Sequence, residues 1–334
     1  MSTIVIYRLG SLGDTVVALP CFHRIAETFP QQRRIVLTNL PVSSKAAPLD
    51  VILRPGGFID GVIAYPVGLR SLKSLLHLRR ELMQTGSRTL IYLAANRGFF
   101  VVLRDVIFFR LCGFKKIIGA PLTPDLRNNR IDSYQGKEEP EAERLVRTMR
   151  CIGDINLNSP AVWDLRLTPE EIRIGEEAVA KLDGAKFFAV NMGGKESSKD
   201  WGEKNWSELI TTLLPKLPSL ALVVVGTTED TERGERLMRL WPYGGVNLCG
   251  LLSPRESASV LAKALFFVGH DSGPLHLAAT VQTPCVGLFG DFNRPCKWHP
   301  YGSKHHIIHD LRGIEEIGVQ QVVDSILSLA NSMS

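Results

Sequence analysis

The residues with the chemistry to act on a substrate gather in three loops. The first, Gly10-Ser-Leu-Gly-Asp14, follows the apolar run Thr3–Tyr7 and sets a carboxylate where a helix begins. A dinucleotide-binding loop would read G-x-G-x-x-G, with an acid closing the second strand to hold a ribose. Here the glycines read G-x-x-G, and the second strand ends in Thr38-Asn39. A P-loop is also excluded, because Gly194-Lys195 is followed by Glu196 rather than by Ser or Thr. Asp14 is then the N-cap of the helix that continues through Thr15, or a carboxylate displayed to a ligand, held ionised by the helix dipole and usable as a general base. The two roles are compatible.

The second loop runs from Asn191 to Trp206. Gly193 and Gly194 let the backbone approach a ligand closely, and Lys195 and Lys199 can donate to phosphate oxygens. A solvated lysine-rich loop is the alternative, but the placement between a strand and the helix opening at Trp206 favours a site. The third, Val268 to Gly290, is the most specific. A strand ends near Gly269, Ser272-Gly273 turn, Pro274 suits the first helical position, and His276 falls in the first turn. Unpaired N–H groups of Ser272, Gly273, Leu275 and His276 would form an anion site suited to a diphosphate. His276 alone would read as structural; grouped with Asp271, Ser272 and Gly273 it reads as functional. Arg294, Lys297 and His299 come next, and His305, His306 and His309 read as a solvated surface tract rather than a metal site.

These loops need strands to present them. Short apolar runs at Thr3–Tyr7, Ile35–Thr38, Thr89–Leu93, Phe187–Asn191, Leu220–Val225, Leu265–Val268 and Pro284–Phe289 alternate with helical periods, which implies βαβ units and parallel sheets. The pattern begins twice, at Ile4 and again at Phe187, with a polar connection over Asp154–Pro169. A length of 334 residues suits two domains. We expect residues 1–165 and 166–317 to form two Rossmann-like domains, with a C-terminal helix over 318–334 packing back on the first.

Composition narrows the class. Forty-five per cent apolar and 22% charged residues describe a chain that folds in water. Six cysteines without a C-x-x-C pair give neither a zinc nor a redox motif and suit a reducing cytoplasm. The N-terminus reads as a strand rather than a signal peptide, and the oily window Phe99–Phe114 is interrupted by Arg104, Asp105 and Arg110. A net charge of +5 without a nucleic-acid motif suits an anionic substrate or membrane surface better than nucleic acid.

The stretches RLGSLGDTVVALP, KDWGEKNW and HDSGPLHLAATVQTPCVGLFG, with Ile91–Arg97 ahead of an oily helix, resemble glycosyltransferase family 9, the ADP-heptose:lipopolysaccharide heptosyltransferases of Gram-negative bacteria. The resemblance implies a GT-B fold, two Rossmann-like domains with parallel sheets facing a central cleft. It implies that Asp14 is the general base and Lys199 a donor-phosphate contact, with Asp271, Ser272, Gly273 and His276 wrapping the nucleotide diphosphate. The donor side would include Gly193, Gly194 and Lys195, and Asp230 or Glu232 would meet the ribose. Gly13, Arg70, Lys73 and Arg97 are expected on the side of an anionic, lipid-linked acceptor. Ser272 stands where Thr is more usual, and Asn191–Lys195 lacks the hydroxyls of some members.

The activity that the resemblance implies is an inverting transfer of heptose from ADP-heptose to the lipopolysaccharide core, with no cofactor and no metal. Another nucleotide sugar or glycan, or a silent nucleotide-binding protein, are the alternatives. A cytoplasmic location, peripheral on the inner membrane, fits such an acceptor. Leu69–Arg80 reads either as a basic amphipathic helix for that surface or as a solvated face over a core stripe.

Overall fold

The computed structural model describes residues 2–39, 48–65, 71–134, 136–194 and 196–331. The chain divides into two compact units, Met1–Arg166 and Leu167–Ser334. The first contains β1 (Thr3–Tyr7), α1 (Leu12–Val17), α2 (Leu19–Thr28), β2 (Arg33–Thr38), α3 (Leu49–Leu53), β3 (Gly61–Ala64), α4 (Leu72–Gln84), β4 (Thr89–Tyr92), α5 (Phe99–Leu111), β5 (Lys116–Ile118), α6 (Pro124–Arg127) and α7 (Glu141–Met149). Its five strands are parallel in the order β3-β2-β1-β4-β5. Ile4, Val5, Ile6 and Tyr7 of β1 point alternately to the two faces and are all buried, so the central strand is covered on both faces, as a parallel sheet requires.

The second unit contains α8 (Pro169–Val179), β6 (Phe187–Asn191), α9 (Glu203–Leu213), β7 (Ala221–Val224), α10 (Thr231–Met238), β8 (Gly245–Asn247), α11 (Pro254–Leu261), β9 (Phe267–His270), α12 (Gly273–Thr280), β10 (Cys285–Phe289), β11 (His306–His309) and α13 (Val319–Asn331). Its parallel order is β11-β10-β9-β6-β7-β8. Strand and helix alternate as expected, and two α/β sheets result.

Each sheet reverses direction once. In the first, β2 and β3 add on one side of β1, and β4 and β5 on the other; in the second, β7 and β8 add on one side of β6, and β9, β10 and β11 on the other. Right-handed crossovers therefore put α4 and α5 on the face of the first sheet opposite α1 and α2. Leu78 and Leu82 of α4 and Val102 and Phe109 of α5 accordingly pack with Val5, Tyr7, Leu90 and Tyr92.

Four strands have no counterpart among the apolar runs of the sequence: β3, β5, β8 and β11. All four are sheet edges, three or four residues long and only partly buried, so their apolar runs are too short to announce them. One of them, His306–His309, corrects the expectation of a solvated surface tract. Val322, Val323, Ile326 and Leu329 of α13 are buried with Leu209, Ile210 and Leu213 of α9 in the core of the second unit.

A buried ion pair sets the end of β4. Arg144 on α7, fully buried, donates from Nε to Oε2 of Glu141 at 2.9 Å, and to the carbonyls of Ala94 and Leu126 at 3.2 Å each. Asn129 donates to the same Glu141 oxygen at 3.1 Å. Replacing Glu141 by Ala strands a buried guanidinium, so Glu141→Ala is expected to cost about 3–5 kcal/mol in urea unfolding, with the double change Glu141→Leu/Arg144→Met costing less. Equal losses would contradict this account.

Candidate active site

In the first unit the loop after β1 closes as a helix start. Ser11 is the N-cap of α1, and Asp14, at the third helical position, turns its carboxylate back to it: Oδ2 accepts from Ser11 N at 2.7 Å and from Ser11 Oγ at 2.8 Å. The expectation that Asp14 is itself the N-cap is thus corrected by three residues, and its capping role is reciprocal. Both bonds fall on Oδ2; among the described residues none is shown on Oδ1. Gly10 makes the fold possible. It sits at φ +136°, and a Cβ there would stand 2.5 Å from Cβ of Asp14. Asn39, at the position where a dinucleotide site would need an acid, instead accepts from Gly10 N at 3.0 Å.

Under this loop lies Arg8, a group that the sequence motifs did not single out. Its fully buried guanidinium donates to the carbonyls of Leu93, at 2.9 Å, and Asp14, so one side chain ties the β1 loop to the end of β4. Burial pushes its pKa down, and the charge of Asp14 works against that shift. Gly13 falls in the first turn of α1. Arg97, after β4, donates to the hydroxyl of Tyr7 and pairs with the buried Asp105 at 3.3 Å. Asp105 also takes the Tyr92 hydroxyl at 3.0 Å and Arg104 at 2.7 Å. Burial and the Asp105 charge drive both tyrosines upward, so they stay protonated. Lys73 is exposed at the start of α4. Arg70 lies outside the described residues, as does Lys195.

In the second unit the strand-order reversal falls between β6 and β9, and the two loops singled out by sequence come directly after those strands. They are joined. Lys199 Nζ lies 2.6 Å from Oδ2 of Asp271 and 4.3 Å above the ring of Phe292, and Asn293 donates to the same Asp271 oxygen at 2.8 Å. Ser272 is the N-cap of α12 but does not cap it with its side chain; its hydroxyl donates to Oδ1 of Asn191 at 3.1 Å. Asn191 in turn donates to the carbonyl of Val225 at 2.9 Å. His276 is buried in the first turn of α12.

Asp230 and Glu232 separate clearly. Asp230 Oδ2 accepts from Thr227 N and Oγ1 at 2.8 Å each, and a Cβ on Gly193 would stand 2.3 Å from it, so only glycine fits beside this acid. Glu232 points away, with its side chain 92% exposed and 3.9 Å from Arg236. Gly194 sits next to Gly193, near Lys199.

What holds the Lys199 loop is His270, which opens the third motif without a role assigned from sequence. Fully buried at the end of β9, its Nε2 accepts from Trp201 N at 3.3 Å and from the indole of Trp206 at 3.1 Å. Burial drops its pKa to about 4. The neighbouring Asp200 is pushed upward by burial, yet its bidentate pair with Arg233, at 2.8 and 3.0 Å, and the Gly202 N–H hold it below its usual range. Tryptophans five residues apart, with a histidine opening the third motif, were the available signal. On the far side, His299 Nε2 lies 2.8 Å from His309 Nδ1, both packed on Phe289. Among the described residues no group of three or more His, Cys, Asp or Glu is arranged to hold a metal.

The chain is similar to known proteins. Residues 135–321, more than half of the chain, match glycosyltransferase family 9 (heptosyltransferase). Lipopolysaccharide heptosyltransferase 1 of Salmonella typhimurium is 37% identical over 97 residues, covering 28% of each chain. The chain spans less than half the length of the curated relatives it matches. The glycosyl transferase family 9 structure from Veillonella parvula superposes with a TM-score of 0.74 at 16% identity, over 99% of this chain and 98% of that one. Heptosyltransferase WaaC of Escherichia coli with ADP-2-deoxy-2-fluoro heptose gives a TM-score of 0.65 at 15% identity, over 98% and 99%.

The neutral His270 carries a pH signature. Between about pH 4 and 6.5 the unfolded chain binds a proton at this residue and the folded chain does not, so stability falls as the pH drops through that window. In His270→Gln, whose amide oxygen can accept the same donors, the decline in unfolding free energy from pH 7 to 4 should be shallower by up to about 3 kcal/mol. An unchanged slope in urea titrations across that range would remove His270 from the account.

Proposed function

This chain belongs to glycosyltransferase family 9 (heptosyltransferase), and on that premise we propose that it moves a heptose from ADP-heptose to a lipopolysaccharide-core acceptor with inversion. The observation that carries the reading is that each sheet sets one half of such a reaction in the loops at its strand-order reversal: a carboxylate in the first unit, and a lysine beside an uncapped helix start in the second. Open α/β sheets bind ligands at these points. The ADP-sugar analogue held by the Escherichia coli enzyme supports an ADP-heptose donor.

In this mechanism the acceptor hydroxyl attacks the anomeric carbon and the carbon–oxygen bond to ADP breaks on the opposite side. Oδ1 of Asp14 takes the hydroxyl proton while Oδ2 remains engaged with Ser11, which fixes the carboxylate. Lys199 exchanges Asp271 for the diphosphate as negative charge builds on the leaving group, and the N–H groups of Ser272, Gly273 and Leu275 at the start of α12 share it. His276 lies in the same turn, Gly193 and Gly194 allow close approach, and of the two acids we read Asp230, beside Gly193, as the ribose contact. Gly13 and Arg97 serve the acceptor, an anionic glycolipid. No cofactor or metal is invoked, and the acceptor places the enzyme on the cytoplasmic side of an inner membrane.

The test is ADP release from ADP-heptose by the purified protein, with and without heptose-deficient lipopolysaccharide. Asp14→Asn keeps an oxygen for the Ser11 cap but cannot take a proton, so turnover should fall about 100-fold or more while ADP binding persists. Tight ADP binding without acceptor-dependent release would turn the reading toward another sugar, another glycan or a silent nucleotide-binding protein. Full activity of Asp14→Asn would remove it as the base.

A further inference from the structure

One face of the first unit is left apolar where it should be polar. Helices α4 and α5 cover one face of the first sheet, and a helix with a single buried side normally carries polar residues on the other. On α5 the outer positions are Phe100, Leu103, Ile107 and Leu111, spaced 3, 4 and 4 residues apart along one stripe, with Phe100 82% exposed. Leu72, Leu76 and Met83 stand out from α4, Leu72 at 78%. Half of the large apolar side chains exposed among the described residues lie on these two helices. Arg79 Nε donates to the carbonyl of Leu111 at 3.1 Å and ties the helices side by side.

The charge around this patch is mostly positive. The two helices carry Lys73, Arg79, Arg80, Arg104 and Arg110 against two acids, Asp105, which is buried, and Glu81, which lies 3.8 Å from His77. An apolar stripe among cations is the composition of a helix that lies in the interface of an anionic bilayer, its apolar side chains among the acyl chains and its cations at the headgroups. A second copy of the chain meeting the same face would set like charges against each other. No helix among the described residues is long and apolar enough to cross a membrane, so contact here is in the plane of the surface.

We propose that the outer face of α4 and α5 docks the protein on a bilayer rich in anionic phospholipid. This goes beyond the transfer reaction and would hold whatever sugar is moved. It assigns to α4 the membrane alternative left open by its sequence, and adds α5 as the principal apolar contact.

The experiment is co-sedimentation of the full chain with vesicles of phosphatidylglycerol and phosphatidylethanolamine, or of phosphatidylcholine alone. Binding to the anionic vesicles should be about tenfold tighter and should weaken at high salt. Phe100→Ser/Ile107→Ser and, separately, Arg80→Glu should each reduce it about fivefold or more, with melting temperature and ADP release on a soluble acceptor unchanged. Equal or absent binding to both vesicles would overturn the proposal. So would a wild-type dimer that Phe100→Ser/Ile107→Ser converts to a monomer, because a second copy would then cover the face. Turnover is read separately, so the membrane surface and the heptosyl reading fail independently.

Discussion

Where a parallel sheet reverses its strand order, the connections of two neighbouring strands leave toward opposite faces, and no helix fills the space beyond their carboxyl ends. That constraint positions the carboxylate and the lysine to which the proposed reaction is assigned. In the second unit it opens the space between β6 and β9, and the chain uses it to bring Lys199, which comes after β6, against Asp271, which comes after β9. In the first it falls between β1 and β4, whose carboxyl ends lead into the Asp14 loop and to Arg97 respectively. With the strands in simple sequential order, each pair of loops would be separated by an intervening helix.

The loops themselves are fixed from below by groups with no direct role in the proposed chemistry. Arg8 and Arg144 are fully buried cations whose donors go to backbone carbonyls around the end of β4, Leu93 for one and Ala94 for the other. Such groups are costly to desolvate; Arg144 also has the Glu141 carboxylate as its partner, whereas Nε of Arg8 is buried without a hydrogen-bond partner among the described residues. His270 plays the corresponding part in the second unit. It must stay neutral, because Nε2 cannot accept two N–H donors while carrying a proton. Its burial enforces that state, and with it the path of the chain from Lys199 to Trp206.

The Lys199–Asp271 pair gives the second site a particular resting state. Asp271 is 10% exposed on its side chain and Lys199 18%, so their attraction is less screened than a surface pair. A diphosphate entering this loop would compete with a carboxylate already in place, and Asn293 offers that carboxylate a second partner to retain. Phe292 under the ammonium keeps the charge near the loop through a cation–π contact.

The sequence by itself determined the class of each unit, the central strands, and the three loops to which the proposed chemistry is assigned. Central strands of parallel sheets are buried on both faces and so appear as continuous apolar runs, and loops after them show their glycines, acids and lysines openly. Tertiary structure alone decided what those runs could not encode. The edge strands β3, β5, β8 and β11 take their structure from a neighbour's hydrogen bonds rather than from their own apolar content. The packing of α13 on α9 joins segments more than a hundred residues apart. The separation of Asp230 from Glu232, the reciprocal cap of Ser11 and Asp14, and the roles of Arg8, Asn293 and His270 rest on contacts between residues 3 to 85 positions apart. Spacing along the chain shows periodicity and helix starts; strand order decides which distant residues face one another.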